Sequence, residues 1–358
     1  MKISDSYSEE RNPGYNNRPV IRVGLTYDLR DEYLAMGYTE EETAEFDREG
    51  TIFAIEQALQ ALGYRTDRIG HIKNLVHRLD RGEGWDIVFN IAEGLYGAGR
   101  EAQVPALLDA YRIPYVFSDP LVLALTLDKA LTKVIVKDAG VATPDHRVVY
   151  RKKDILKVDL PYPLFAKPLA EGTGKGINPR SVIRNQQQLI DVCTGLLDRY
   201  HQPVLVETYL SGREFTAGIV GTGDRARCVG VIEIILKDNA EEGVYSYVNK
   251  EECEERIIYS RTDPAAASAC ADMALSVWNI LRCEDAGRVD IRLDEKGRPH
   301  FLEVNPLAGM HPEHSDLPIL STLHGTSYLD LMRMIMDSAM VKVRPVQRKD
   351  TTVDHVTI

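Results

Sequence analysis

Long apolar runs are missing from this 358-residue chain. No stretch approaches the roughly 18 apolar residues of a membrane-spanning helix. Cysteine is scarce. The five present, Cys193, Cys228, Cys253, Cys270 and Cys283, form no C-x-x-C pair. An odd, scattered set argues against a disulfide framework and fits inert thiols in a reducing compartment. Positive charge also falls short: 43 Lys and Arg stand against 54 Asp and Glu, a net charge of −11. That balance argues against nucleic acid or an anionic membrane as the main partner. A local basic pocket for a small phosphate compound stays open. Two phosphate-loop signatures are absent too. Neither G-x-x-x-x-G-K-[ST] nor a G-x-G-x-x-G after the first apolar run occurs, which excludes a P-loop protein and a nicotinamide-dependent dehydrogenase. The polar stretch 1–19 lacks the apolar core of a signal peptide and reads as a loosely held lead-in. A soluble, cytoplasmic protein is expected.

What is present is ordinary globular material, with 44% hydrophobic and 27% charged residues. At ~150 residues per domain this allows two or three domains. Residues 20–26 (VIRVGLT) form a buried strand candidate, followed by an acidic stretch over 28–49. Ile52, Phe53, Ile55, Leu59 and Leu62 fall at helical spacing, with Gly63 as a stop. Residues 66–70 and 86–92 read as strands, and 72–79 and 101–110 as helices. A fourth strand is expected at 115–118. Strands alternating with helices imply parallel βαβ units, an open α/β region to about residue 120. Beyond it, 128–139 reads as a helix closed by Gly140. Residues 162–168 and 204–210 are strand candidates. Strand-like runs then dominate, at 215–220, 227–235, 287–293 and 300–304. Helices are expected at 263–280 and 328–339, and a frayed tail from about 344.

Three motifs carry chemistry. In KPLAEGTGKG (167–176) a strand ends in a lysine and enters a loop with three glycines and a hydroxyl. Glycines let backbone N–H groups close on phosphate oxygens, and lysine adds point charge. Alone, such a loop is most often a plain turn. Arg288-Val289-Asp290 is followed by Glu303-Val304-Asn305. On adjacent strands of a hairpin, Asp290, Glu303 and Asn305 put three oxygen donors on one face, a set that suits Mg²⁺ with nucleotide phosphates. A solvated hairpin with charged ends is the plain alternative. In VLVETYLSGREF (204–215) a strand and bend offer Glu207 and Glu214 to a base and a ribose; by itself this is an ordinary strand and turn.

Taken in order, these motifs resemble an ATP-grasp enzyme, and more narrowly the D-alanine–D-alanine ligase family. The resemblance spans roughly 20–339 and rests on FNIAEG (89–94), the run from Arg100 to Lys133, KPLAEGTGKGI (167–177), VETYLSGREF (206–215), GRVDIRLD (287–294), EVNPLAGM (303–310) and HSDLP (314–318). It implies an α/β protein: an N-terminal open parallel α/β domain at 20–120, a central ATP-grasp lobe at 121–211, and an α+β C-terminal lobe at 212–345 that carries the metal site. Residues 1–19 and 346–358 fall outside these lobes. By similarity, ATP is held by Lys129, Lys167, Glu171, Gly172, Gly174, Gly176, Glu207, Leu210 and Glu214. Asp290, Glu303 and Asn305 are implied ligands of two Mg²⁺ ions, with Mn²⁺ as the substitute. Lys250 reaches the γ-phosphate, Thr173 stands in the closing glycine loop, and Arg288 with the N–H of Gly309 holds a developing oxyanion. The implied reaction joins a carboxylate to an amine through an acyl phosphate. D-Alanyl-D-alanine, a peptidoglycan precursor, is the default product, with small-molecule partners and a possible homodimer.

Departures from the family pattern fall on the amino-acid pockets. Glu93-Gly94 stands where the usual ligases have His-Gly, Glu251 where an aromatic follows the γ-phosphate lysine, and Thr173 with Gly174 where two serines occur. Ala308 replaces the family proline. The segment HPEHSDLP (311–318) is longer than usual; Ser315 and Leu317 are the expected grip on the second substrate, with Asp316 beside them. The acidic loop offers Glu45, Asp47 and Glu49 for the first substrate's ammonium, with a solvated surface as the plain alternative. A ligase of other amino acids or a small peptide, and a non-catalytic nucleotide-binding module, are the competing readings.

Overall fold

The computed structural model describes residues 20–343 except Glu242. The expected lead-in and tail lie outside the described residues. Three sheets organise the chain. The first joins β1 (Arg22–Tyr27), β2 (Arg65–Gly70) and β3 (Ile87–Ile91) in the order β2-β1-β3, all parallel. All five residues of β3 are buried, as the near-continuous apolar run of a strand covered on both faces demands. Helix Glu49–Ala61 covers one face with Ile52, Ile55 and Leu59. Leu75 and Leu79 of helix Ile72–Asp80 and Leu108 of helix Gln103–Ala110 cover the other. Gly24 is needed at the centre, because a Cβ there would lie 2.5 Å from Ile69 and 2.9 Å from Trp85.

The expected fourth strand does not form. Tyr115 makes a single bridge to Val88, and Val116 N–H donates to the Val88 carbonyl at 2.8 Å. The chain then leaves the sheet: Phe117 has φ +77, and its N–H donates to Asp285 Oδ2 at 2.8 Å instead of continuing the ladder. The next helix, Pro120–Leu127, had no strong periodic signal. It is started by Asp119, which accepts from Val122 N–H, and by Pro120 at the first turn. Asp128 caps the following helix, Lys129–Asp138, in the same way.

The second sheet is antiparallel, in the order β4-β7-β5-β6, from β4 (His146–Val149), β5 (Leu164–Pro168), β6 (Val182–Ile183) and β7 (Val204–Thr208). Helix Gln186–Tyr200 packs on it through Leu189, Cys193 and Leu196. The third sheet, also antiparallel, runs β10-β9-β8-β11-β12, from β8 (Glu214–Val220), β9 (Arg227–Leu236), β10 (Ile257–Arg261), β11 (Ala286–Leu293) and β12 (Pro299–Asn305). Helix Pro264–Leu281 covers one face with Cys270, Ala274, Val277 and Trp278. Helices Asp316–Leu323 and Tyr328–Ala339 belong to a second core, which also contains β1 and helix Glu49–Ala61. The N- and C-terminal regions therefore share one apolar core. All five cysteines are free, and all but Cys228 are buried. Among the described residues no helix is long and apolar enough to cross a membrane.

Candidate active site

Three cavities meet where the sheets converge. The first, about 740 Å³, lies between the second and third sheets. β5 brings Lys167 to it and β7 brings Glu207, because Phe165 and Glu207 are cross-strand partners. Lys167 Nζ stands 3.6 Å from Glu207 and 3.6 Å from Glu303. Lys129 Nζ donates to the Glu171 carbonyl at 2.7 Å and lies 3.7 Å from Glu303. Leu210 and Glu214 line the same cavity, and Arg292 holds Glu214 at 3.1 Å. Gly174 lines it too, with its φ at +74; a Cβ there would meet Tyr247 N at 2.9 Å, so the loop seats against 246–247.

Lys133, which holds Glu207 from behind the cavity wall, is a residue that sequence reasoning missed. It is fully buried, 3.1 Å from Glu207, and hydrogen-bonded to Thr143 Oγ1 at 3.2 Å. Burial pushes its pKa down to about 8, against the pull of Glu207. Its spacing of four from Lys129 on one helix was the available signal, since positions i and i+4 share a face. Burial opposes ionisation of Glu303, but Lys129, Lys167, Lys250 and Arg288 together hold its carboxyl well below the usual range.

The β11–β12 hairpin brings the expected oxygen donors together. Asp290 faces Glu303 and Arg288 faces Asn305 in its register. Asn305 Nδ2 lies 3.4 Å from Asp290, Thr216 Oγ1 donates to Asp290 at 2.9 Å, and Arg288 approaches it at 2.5 Å. Burial and the Glu303 charge raise the Asp290 pKa despite Arg288. Two carboxylates and an amide oxygen are hard donors, and a hard divalent cation fits them, relieving the charge that burial disfavours at Asp290. Among the described residues no three His, Cys, Asp or Glu side chains form such a group by themselves.

The second cavity, about 700 Å³, is lined by Glu45, Glu93, Glu101, Gly172, Thr173, Arg288, Asn305 and Gly309, among others. Burial, with Glu101 and Glu45 nearby, pushes the Glu93 pKa well up, and burial brings Glu101 to about 7. Gly94 turns the chain at φ +70, where a Cβ would lie 2.7 Å from the Arg100 carbonyl. Of the three acids in the 28–49 loop, Glu45 reaches this cavity, but its oxygens are occupied. Arg100 binds it at 2.7 Å, Lys175 lies at 3.3 Å, and Gly172 N–H donates to it at 2.7 Å. Glu45 therefore clasps the glycine loop. Arg100, which also donates to the Ala170 carbonyl at 2.9 Å, was missed because nothing local marks a partner 55 residues away.

The third cavity, about 1450 Å³, contains Asp47, Arg48, Tyr245, Lys250, Glu251, Ser315 and Asp316. Burial raises the Asp47 pKa to about 7. Glu251 lies 3.5 Å from Arg30, a buried cation that sequence reasoning also missed. Ser315 Oγ accepts from His311 N–H at 2.9 Å and sits 2.7 Å from where a Cβ on Gly309 would be, so a side chain at 309 would displace Ser315 Oγ.

Three expected positions lie elsewhere. Leu317 is fully buried in the core of the third sheet, where it and Leu320 press on Gly218; the first turn of helix Asp316–Leu323 turns it inward. Glu49 is more than half exposed, 56%, and pairs with Arg68 at 2.5 Å on the surface. Gly176 packs against Pro168 and Tyr200 and lines none of the three cavities; its φ of +73 serves the turn. The remaining residues converge. Lys129 and Glu303 border the first and second cavities, Lys250 and Tyr245 the first and third, and Thr173, Arg288 and Gly309 the second and third.

Known proteins share this architecture. The family model described as the D-ala D-ala ligase C-terminus matches residues 135–337. A D-alanine–D-alanine ligase of Bordetella pertussis is 33% identical over 287 residues, covering 76% of this chain and 87% of that one. Among solved structures, the D-alanine–D-alanine ligase of Bacillus anthracis complexed with ATP has a TM-score of 0.69 at 22% identity, covering 91% of this chain and 99% of that one. A D-Ala:D-Ser ligase of Enterococcus faecalis has a TM-score of 0.67 at 21% identity, covering 90% of this chain and 100% of that one. The structures establish the fold and the sequence matches the family: this chain belongs to the D-alanine–D-alanine ligase family, with its ATP-grasp architecture.

Proposed function

We propose that the protein uses ATP to join the carboxylate of one amino acid to the amine of a second, with the cavities serving in turn ATP, the carboxylate donor and the amine acceptor. The meeting of the three cavities at Arg288, Glu303, Thr173 and Lys250 carries this proposal. A carboxylate is a poor acyl donor because its leaving group would be oxide. Transfer of the γ-phosphoryl group makes an acyl phosphate and ADP. The acceptor nitrogen then bonds to the carbonyl carbon as the carbon–oxygen bond to phosphate breaks.

In this scheme Lys129 and Lys167 neutralise phosphate charge, and Glu207, Leu210 and Glu214 receive the base and ribose. Glu171, Gly172 and Gly174 cover the phosphates. Lys250 faces the γ-phosphate. Arg288 and the Gly309 N–H stabilise the tetrahedral oxyanion, the point where charge develops. Thr173 and Gly172, clasped through Glu45, keep water from the acyl phosphate. Asp290, Glu303 and Asn305 would hold two Mg²⁺, or Mn²⁺ in their place; these ions supply charge neutralisation at the phosphates. The lobes 20–120, 121–211 and 212–345 form the three walls. The default product is D-alanyl-D-alanine for peptidoglycan, made in the cytoplasm, where ATP is supplied, by a homodimer. Ligation of other amino acids or a small peptide is the alternative that Glu93 favours, since a buried acid that holds its proton brings no positive charge to a free carboxylate where the usual ligases carry a histidine.

Glu303→Gln is the direct test. It keeps the shape, removes the charge that faces three lysines, and should lower phosphate release by about a hundredfold or more. An unchanged rate would overturn the metal and nucleotide assignment.

A further inference from the structure

The third cavity, about 1450 Å³, is twice the size of the second, about 700 Å³. Their shared wall carries Arg288, Gly309 and Thr173, so the acceptor amine meets the acyl carbon from the third cavity. Asp316 lines the third cavity beside that wall. It opens helix Asp316–Leu323, and its side chain is only 9% exposed. Its Oδ2 lies 3.3 Å from Arg288, and the Tyr245 hydroxyl lies 3.5 Å from Oδ1. Arg288 already binds Asp290 at 2.5 Å, so one guanidinium serves two acids. The other cations are engaged or distant. Arg30 is tied to Glu40 at 2.7 Å and Glu251 at 3.5 Å, and Lys250 lies over the Tyr245 ring at 4.5 Å.

An α-amino acid carries its carboxylate on the carbon next to its amine. With the amine at the carbon held by Arg288, that carboxylate lies beside Asp316. Two carboxylates on a poorly hydrated wall repel, and the only guanidinium between them is already shared. We propose, resting on the ligase function above, that Asp316 selects the acceptor: it disfavours a free α-amino acid and admits an amine whose carboxylate is masked or several bonds away, such as the N-terminus of a dipeptide. The larger cavity has room for the added residue. Arg48, exposed at its edge and without an ion pair among the described residues, is the cation a remote carboxylate meets. Asp316 draws in the acceptor as its ammonium. When the amide forms, the ammonium loses two protons, one to the departing phosphate and one to solvent.

The protein, with ATP and Mg²⁺, is first given a panel of L- and D-amino acids as donors in the presence of hydroxylamine. Hydroxylamine carries no carboxylate and traps any acyl phosphate as a hydroxamate. The best donor is then paired with D-alanine, D-alaninamide or D-alanylglycine as acceptor, reading phosphate release and product mass. The amide and the dipeptide should exceed D-alanine in kcat/KM by about ten-fold or more. Asp316→Ser should shrink that ratio by a similar factor. If D-alanine is the best acceptor while hydroxamate forms, or if the ratio is unmoved in a folded Asp316→Ser, the selection by Asp316 is overturned and ligase activity stands. If no donor yields hydroxamate or phosphate, ligase activity itself is refuted and the acceptor assignment with it. Should Asp316→Ser not fold, the wild-type ratio and the isosteric Asp316→Asn decide the question.

Discussion

Glu101 lies on the wall of the second cavity without a hydrogen-bond partner for its carboxyl group among the described residues. Burial raises its pKa from the ordinary 4.5 to about 7. Between those values the folded protein binds a proton that the unfolded chain has already released. Stability from this group is therefore present below about pH 4.5 and is lost as pH rises to 7. Glu101→Gln removes the penalty. Thermal melts should show the variant level with wild type near pH 4 and more stable by up to about 3 kcal/mol at pH 8. Spacing pointed to other single residues correctly: Asp290 and Glu303 do face each other across a hairpin, because two positions near a strand–turn–strand are local. Lys133 and Glu207, 74 positions apart, left no local trace of their pairing, which exists only in the folded chain.

At the scale of elements, the glycine loop is held by another part of the chain. Glu45 takes the Gly172 N–H and two cations, so the acidic loop and the glycine loop close as one piece. Glu45→Ala should release residues 172–176. Trypsin cleavage after Lys175 in the ATP-free protein should accelerate, and the KM for ATP should rise about ten-fold, the value of one charged hydrogen bond. Unaltered cleavage would show that the loop is held otherwise. The strands at 20–26, 162–168, 287–293 and 300–304 were legible because apolar, β-branched runs leave few other options. The run at 115–118 has the same composition and is not a strand. Its end is set by Asp285, 168 positions from Phe117, and a local pattern cannot report that.

For the whole molecule, helix Tyr328–Ala339 bridges the N- and C-terminal regions. Leu331, Met332, Ile335 and Met336 are fully buried in the core that holds Ile52, Ile55 and Leu59. Ile335→Ala should cost about 2–5 kcal/mol. The two tryptophans stand in the two regions that share this core, Trp85 beside the first sheet and Trp278 in the third. In urea titrations of single-tryptophan forms, Trp85 and Trp278 should report one midpoint, and Ile335→Ala should lower both together. Separate midpoints would mean that the regions unfold independently. The sequence by itself determined the fold class and the family, and placed Asp290 and Glu303 on facing strands of one hairpin, because these depend on short periodic patterns and on residue types close together in the chain. Only the tertiary structure decided which acids are free and which are spent. Glu45 is clasped, Glu49 is on the surface, Leu317 is in the core and Asp316 faces Arg288. Those assignments depend on partners brought in from distant strands and helices, and charge is settled by what surrounds it in space.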